Sequence, residues 1–163
     1  MAEVIIALGS NLGDRHHHLM QARSFLSHIS DTPLLASSIY ETEPVGQSST
    51  HYYYNAVCRF GTRFGPLELL EHLKEYERQH GRDLSSPRWA NRTIDLDIID
   101  FDRRTIHWQR LNVPHPDYHK RLFVLAPLQE IMPEWCEVST NRPVGELIAA
   151  APKIEVFKTS LIW

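Results

Sequence analysis

Asp95 and Asp97 stand two residues apart in the run RTIDLDIID (92–100), whose other members are mostly Ile and Leu. On a strand, side chains alternate faces, so the two carboxylates share one face while Ile94, Leu96 and Ile98 share the other. The rise between them is roughly 6.5–7 Å. At an effective dielectric of about 20, like charges at that distance repel by about 2.4 kcal/mol. Partial burial adds a desolvation cost. Such a pair needs cations or a shared proton. Asp100 and Asp102 have the opposite parity. In a regular strand they stay out of the cluster, and they are expected on a solvated face or beside a hairpin turn.

A polar strand face is the simpler account of an isolated Asp-x-Asp. The neighbouring residues argue for chemistry. Arg82, Arg88 and Arg92 precede the pair, and Arg110 and Arg121 follow it. Carboxylates hold Mg²⁺, Mg²⁺ bridges phosphate oxygens, and guanidinium groups neutralise charge that develops during phosphoryl transfer. The common nucleotide motifs are absent. GSNLGD (9–14) lacks the lysine and spacing of a Walker A loop, and no kinase-type Gly-rich loop is present.

The elements that must position these residues follow from periodicity. Val4 to Leu8 reads as a buried strand punctuated by GSNLGD. Asp14 is a helix N-cap, and Leu19, Ala22, Leu26 and Ile29 recur at helical steps. Leu34 to Tyr40 and Asn55 to Phe60 read as strands, separated by the polar TEPVGQSSTH. Gly65-Pro66 opens a second helix with Leu69, Leu70, Leu73 and Tyr76 on its apolar face, and Gly81 ends it. The aspartate strand follows. A hairpin near Thr105 to Trp108, helices at Leu122 to Glu130 and Val144 to Ala150, and a strand at Ile154 to Phe157 complete the chain. The order β-α-β-β-α-β predicts an α+β fold with a ferredoxin-like core, its antiparallel sheet covered by helices on one face, and a C-terminal extension.

The 163 residues fit a single domain, 1–163. Net charge is −3 and the pI about 6.3, which offers no basic field for nucleic acid or an anionic membrane. Cys58 and Cys136 lie far apart with no CxxC, as in a protein with reduced thiols. No signal peptide and no apolar run of about 20 residues is seen. The expectation is a cytoplasmic monomer with no nucleic-acid or membrane partner.

GSNLGD, YETEPVG, YYNAV, Glu77 to Arg82, RWANRTIDLDII, LNVPHP and HKRLFVLAPL occur in an order and spacing that resembles the 6-hydroxymethyl-7,8-dihydropterin pyrophosphokinases of folate biosynthesis. The likeness runs nearly end to end and is weakest over the last thirty or so residues. It implies attack of the pterin hydroxymethyl oxygen on the β-phosphorus of ATP, with release of AMP, and two Mg²⁺ held by Asp95 and Asp97. It implies a pterin site of Thr42, Pro44, Tyr53, Asn55, Trp89 and Phe123. A flat bicyclic ring suits aromatic faces such as Tyr53 and Phe123, and its amide-like edge suits Asn55. It implies an ATP site of Glu77, Arg82, Arg92, Ile98, Arg110, His115 and Arg121. Arg82 and Arg92 join the aspartates as catalytic residues. The unpatterned RDLSSPRWAN segment is expected to close over the substrates and bring Arg82 onto the phosphates.

The chain departs from the family pattern at Ala90-Asn91, in place of Gly-Pro. It departs also at Lys74, Leu84, Asn112 and Pro116, in place of Gln, Arg, Thr and Tyr. Three other signals carry no site. His16, His17 and His18 point in three directions on a helix. GSNLGD could cradle phosphate at a helix N-terminus, but the resemblance places it beside the pterin pocket, and a strand-to-helix turn is the simpler account. Trp135 and Trp163 are expected to pack. Two other classes share some of the parts. Polymerase-palm and cyclase domains also carry carboxylates on a ferredoxin-like sheet, but the acidic pI argues against nucleic acid. RRM- or ACT-like binding modules have no use for the aspartate pair, and the RNP1 motif is missing.

Overall fold

The computed structural model describes residues 1–44, 51–81 and 93–163. Strand β1 (Ala2–Ser10) leads into α1 (Arg15–Ile29), whose first turn is capped by the Asp14 carboxylate accepting from the His17 amide at 3.1 Å. β2 (Leu35–Ala36), β3 (Tyr40–Thr42) and β4 (Tyr53–Thr62) follow. In α2 (Pro66–Gln79), Pro66 takes the first position and Glu68 reaches back to accept from the Gly65 amide at 3.1 Å. Gly81, at φ +90°, lies just past its end. β5 (Asp95–Phe101), the hairpin β6 (Ile106–Trp108) and β7 (Leu111–Val113), α3 (Leu122–Ile131), α4 (Val144–Ala150) and β8 (Val156–Lys158) complete the order.

The sheet runs β5-β1-β4-β3-β8, with β2 also on β4, and every pairing is antiparallel. The central order β5-β1-β4-β3 is that of a ferredoxin-like βαββαβ unit, as expected. The helices, however, cover both faces. Val4, Ile6 and Leu8 of β1 face Leu19, Leu26, Leu69 and Leu73 of α1 and α2, with Leu96 and Ile98 of β5 in the same cluster. Ile5, Val57 and Ile99 face Val124, Leu125 and Leu128 of α3 and Val144 and Leu147 of α4. The reason is compositional. α3 reads LFVLAPLQEI and is apolar nearly all round, so it needs burial. The face left bare by α1 and α2 provides it, at roughly 1.5–3 kcal/mol per buried aliphatic side chain.

Three other expectations change. The strand expected over 34–40 is split into β2 and β3. Ala36 pairs with Cys58 and Tyr40 with Asn55, so four steps on one strand oppose three on the other. At the break, the Ser37 hydroxyl accepts from the Val57 amide at 2.9 Å in place of a backbone carbonyl. The β4 strand runs two residues further at each end than Asn55 to Phe60, and the last strand is Val156–Lys158 rather than Ile154 to Phe157. The third change is at Asp100, which is 3% exposed rather than solvated. Ile5 pairs with Asp100 and Ile6 with Ile98, so Ile99 is an extra residue that reverses the parity of the strand beyond it. Asp100 thus faces the α3–α4 layer, where Trp135 Nε1 donates to it at 3.1 Å. It does lie beside a turn: the Arg103 amide donates to it at 2.9 Å.

Candidate active site

Gly9 of β1 pairs with Asn55 of β4 on one side and Asp95 of β5 on the other, and Ala7 pairs with Val57 and Asp97. Directly paired residues share a face. Asp95, Asp97, Asn55 and, through the Tyr40–Asn55 and Thr42–Tyr53 pairs, Tyr53 and Thr42 therefore lie on the α3–α4 face, at the end of the sheet. The alternation read from the sequence holds over this stretch, and the Asp pair opposes only a glycine and an alanine. Both carboxylates are part-buried.

The pterin-side candidates form a row. Asn55 (6% exposed) donates from Nδ2 to Thr42 Oγ1 (1% exposed) at 2.7 Å. A β-carbon on Gly9 would come within 2.8 Å of Asn55 Oδ1 and 3.6 Å of Tyr53. Glycine at position 9 therefore makes room for the amide. Sequence reasoning treated Gly9 only as part of a turn, although a glycine ending a β-branched run is a sign of close approach. Phe123 sits in the first turn of α3, part-buried against the second core cluster, with the Arg121 guanidinium 5.7 Å from its ring centroid. Pro44 is part-buried just beyond β3. Tyr54 points to the other face, under the Arg15 guanidinium at 3.8 Å.

The ATP-side candidates divide between two places. Glu77 (1% exposed) lies on α2 and accepts from Lys74 Nζ at 3.1 Å, so one departure from the family pattern supplies a cation to a buried carboxylate. The Ile98 side chain is in the α1–α2 cluster, opposite to Asp95 and Asp97. Arg110, in the β6–β7 turn, is exposed and ion-paired with Glu71 of α2. His115 and Arg121 lie in the segment before α3. His115 Nδ1 accepts from the Asp117 amide at 3.2 Å, and Arg121 approaches Asp117 Oδ2 at 3.8 Å. The structure thus does not collect all of these residues on one face. Of the elements that carry them, α2 and β7 pack against β5, an edge strand of the sheet, and Ile98 lies within it. Asn112 faces His107 on the hairpin at 3.4 Å. Arg82, Leu84, Arg88, Trp89, Ala90, Asn91 and Arg92 lie outside the described residues.

The two carboxylates fit Mg²⁺ by donor chemistry. Hard oxygen ligands, two in number, leave coordination positions for phosphate oxygens. Among the described residues no group of three or more His, Cys, Asp or Glu could hold a metal by itself. The three consecutive histidines diverge: His16 Nε2 donates to the Ile162 carbonyl at 2.8 Å, and His18 Nδ1 lies 3.4 Å from the Ser10 hydroxyl. Trp135 is buried and Trp163 donates to the Ser37 carbonyl at 2.8 Å, so both pack as expected. No helix among the described residues is long and apolar enough to cross a membrane.

The family model described as 7,8-dihydro-6-hydroxymethylpterin-pyrophosphokinase (HPPK) matches residues 5–133. The chain is 47% identical over 127 residues to the 2-amino-4-hydroxy-6-hydroxymethyldihydropteridine pyrophosphokinase of Bacillus subtilis, covering 77% of this chain and 75% of that protein. The enzyme of the same name from Pseudomonas aeruginosa is 35% identical over 150 residues, 91% of each chain. Among solved structures, Plasmodium falciparum HPPK-DHPS with SDX-DHP has a TM-score of 0.71 at 16% identity, covering 91% of this chain and 44% of that longer one, a likeness of fold alone. The extent of the family match and the identity to these relatives establish that the chain belongs to the 7,8-dihydro-6-hydroxymethylpterin-pyrophosphokinase family.

Proposed function

We propose that this chain, as one domain, transfers diphosphate from ATP to 6-hydroxymethyl-7,8-dihydropterin at the β5 edge. The hydroxymethyl oxygen bonds to the β-phosphorus, the bond from the β-phosphorus to the α-β bridging oxygen breaks, and AMP leaves with that oxygen. The hydroxymethyl proton passes to solvent. The observation that carries the reading is the row Asn55–Gly9–Asp95, which sets the amide that would meet the pterin beside the carboxylates that would meet the phosphates.

Asp95 and Asp97 would hold two Mg²⁺, which supply charge neutralisation for the triphosphate when bound. Thr42, Asn55 and Pro44 orient the pterin edge, and Tyr53, Phe123 and Trp89 bound its faces. Glu77, Ile98, Arg110, His115 and Arg121 bind the nucleotide, which crosses the β5 edge from the α2 side to the carboxylate side. Arg82 and Arg92 neutralise charge that builds on the transferred group. The chain acts as a cytoplasmic monomer on small molecules, with no nucleic-acid partner.

The test is product analysis. With Mg²⁺, ATP and the pterin, the nucleotide product is AMP, formed only when the pterin is present. Asp95→Ala and Asp97→Ala each lower the rate by about 10³-fold or more, in line with the loss of a charge-stabilising group. ADP would mean single phosphoryl transfer, and diphosphate release would mean nucleotidyl transfer; either result overturns the reading.

A further inference from the structure

Residues 134–163 lie beyond the matched family stretch, yet they complete the sheet beside the pterin-side row. β8 pairs with β3 through Thr42–Val156 and Tyr40–Lys158, so β3 is not left at the edge. One residue before β8, Glu155 makes three bonds. Its amide donates to Glu43 Oε1 at 2.9 Å, its carbonyl accepts from the Glu43 amide at 3.1 Å, and its Oε2 accepts from the Tyr52 hydroxyl at 2.7 Å.

Glu43 follows Thr42, and Tyr52 precedes Tyr53. Thr42–Tyr53 is the last pair of the β3–β4 ladder. Glu155 is therefore bonded to the next residue along both strands at the point where they part. Tyr52 is also held from the other side, since Arg15 donates to its carbonyl at 2.8 Å. The Tyr52–Glu155 contact is solvent-exposed, and contacts of that kind contribute little to stability. Its effect is geometric.

We infer that Glu155 is a positioning residue for the pterin subsite. It fixes the separation of β3 and β4 at their open end, and with it the aim of Thr42 and Tyr53. The inference rests on the pterin reading above.

The test compares wild type, Glu155→Ala, Glu155→Gln and Tyr52→Phe in two measurements: pterin affinity by fluorescence titration and steady-state AMP formation. Loss of the contact is expected to weaken pterin binding by about five- to tenfold in Glu155→Ala and Tyr52→Phe, while kcat and the KM for ATP stay within about twofold, the pattern of lost binding common to the ground and transition states. Glu155→Gln recovers most of the affinity, because its amide oxygen still accepts from Tyr52. Unchanged pterin affinity in both Glu155→Ala and Tyr52→Phe, equal losses for both substrates, or a Glu155→Gln variant no better than Glu155→Ala would overturn the inference. If Glu155→Ala fails to fold, Tyr52→Phe and Glu155→Gln still decide it. A wild-type enzyme that forms no pterin-dependent AMP overturns the functional reading, and the inference with it. A wild type that turns over while the variants match it removes the inference alone.

Discussion

The Asn55 amide donates to Thr42 Oγ1 at 2.7 Å, and its oxygen lies 2.8 Å from where a β-carbon on residue 9 would stand. Three strands thus fix one side chain: β3 supplies the acceptor, β4 the amide and β1 the space. Thr42→Val leaves a buried donor unpaired, and Gly9→Ala pushes the amide off its partner. Each is expected to destabilise the fold by about 1–3 kcal/mol. Both should raise the KM for the pterin more than that for ATP. Urea unfolding and paired kinetics check the two parts separately.

Arg110 is held by Glu71 in the structure, away from the carboxylate pair. A role for Arg110 on ATP requires that contact to be given up. Glu71→Gln removes the competitor, and ATP binding should tighten by up to about fivefold, the equivalent of an exposed ion pair worth about 1 kcal/mol or less. The gain should shrink at high salt as the pair is screened. Isothermal titration with an ATP analogue at two ionic strengths reads both effects.

Asp100 is buried beneath Trp135, and the indole N–H is one of its donors. Trp135→Phe keeps most of the ring but removes that donor, at an expected cost of about 1–3 kcal/mol. The double variant with Asp100→Asn should cost less than the sum of the two, since they share one contact. Pterin and ATP kinetics should hardly change, because this end of the strand lies beyond the proposed substrates.

Glu130 of α3 accepts from the Tyr40 hydroxyl at 2.7 Å and the Ser38 amide at 3.0 Å, with Lys158 at 3.9 Å. Burial alone would raise its pKa, but the Tyr40 and Ser38 donors and the Lys158 charge outweigh that and hold it below the ordinary 4.5. A carboxylate depressed in the folded state contributes stability that is present above the unfolded pKa and is lost as pH falls through the folded one. The gap in urea midpoint between wild type and Glu130→Gln should therefore be full at neutral pH and close below about pH 4.5, the unfolded reference. A gap independent of pH would disprove the carboxylate's part in it.

The aspartate pair was readable because the strand period of two needs only local sequence, and Asp95 and Asp97 lie before the extra residue. Asp100 was misread for the same reason. Nothing in DLDIIDF marks where a ladder gains a residue, except the Ile98–Ile99 doublet. The two-sided helix arrangement was present in the apolar LFVLAPL but needs the whole sheet to interpret. Long-range pairs such as Glu71–Arg110 and Tyr52–Glu155 leave no periodic trace, since each joins exposed residues far apart in the chain. The alignment of Thr42 with Tyr53 depends on the irregularity near Ser37, which propensity alone does not reveal.

The unpaired Ile99 has a meaning for comparing relatives. Because β5 is one residue longer than its ladder with β1 requires, a homologue lacking that position would pair Asp100 with Ile5 and Ile98 with Ile6 in unbroken succession. Asp95, Asp97, Asp100 and Phe101 would all keep their present sides, and only an isoleucine would be missing from the packing. A single-residue gap at this point of an alignment is thus silent for the chemistry, whereas the same gap between Asp95 and Asp97 would put the two carboxylates on opposite sides of the protein.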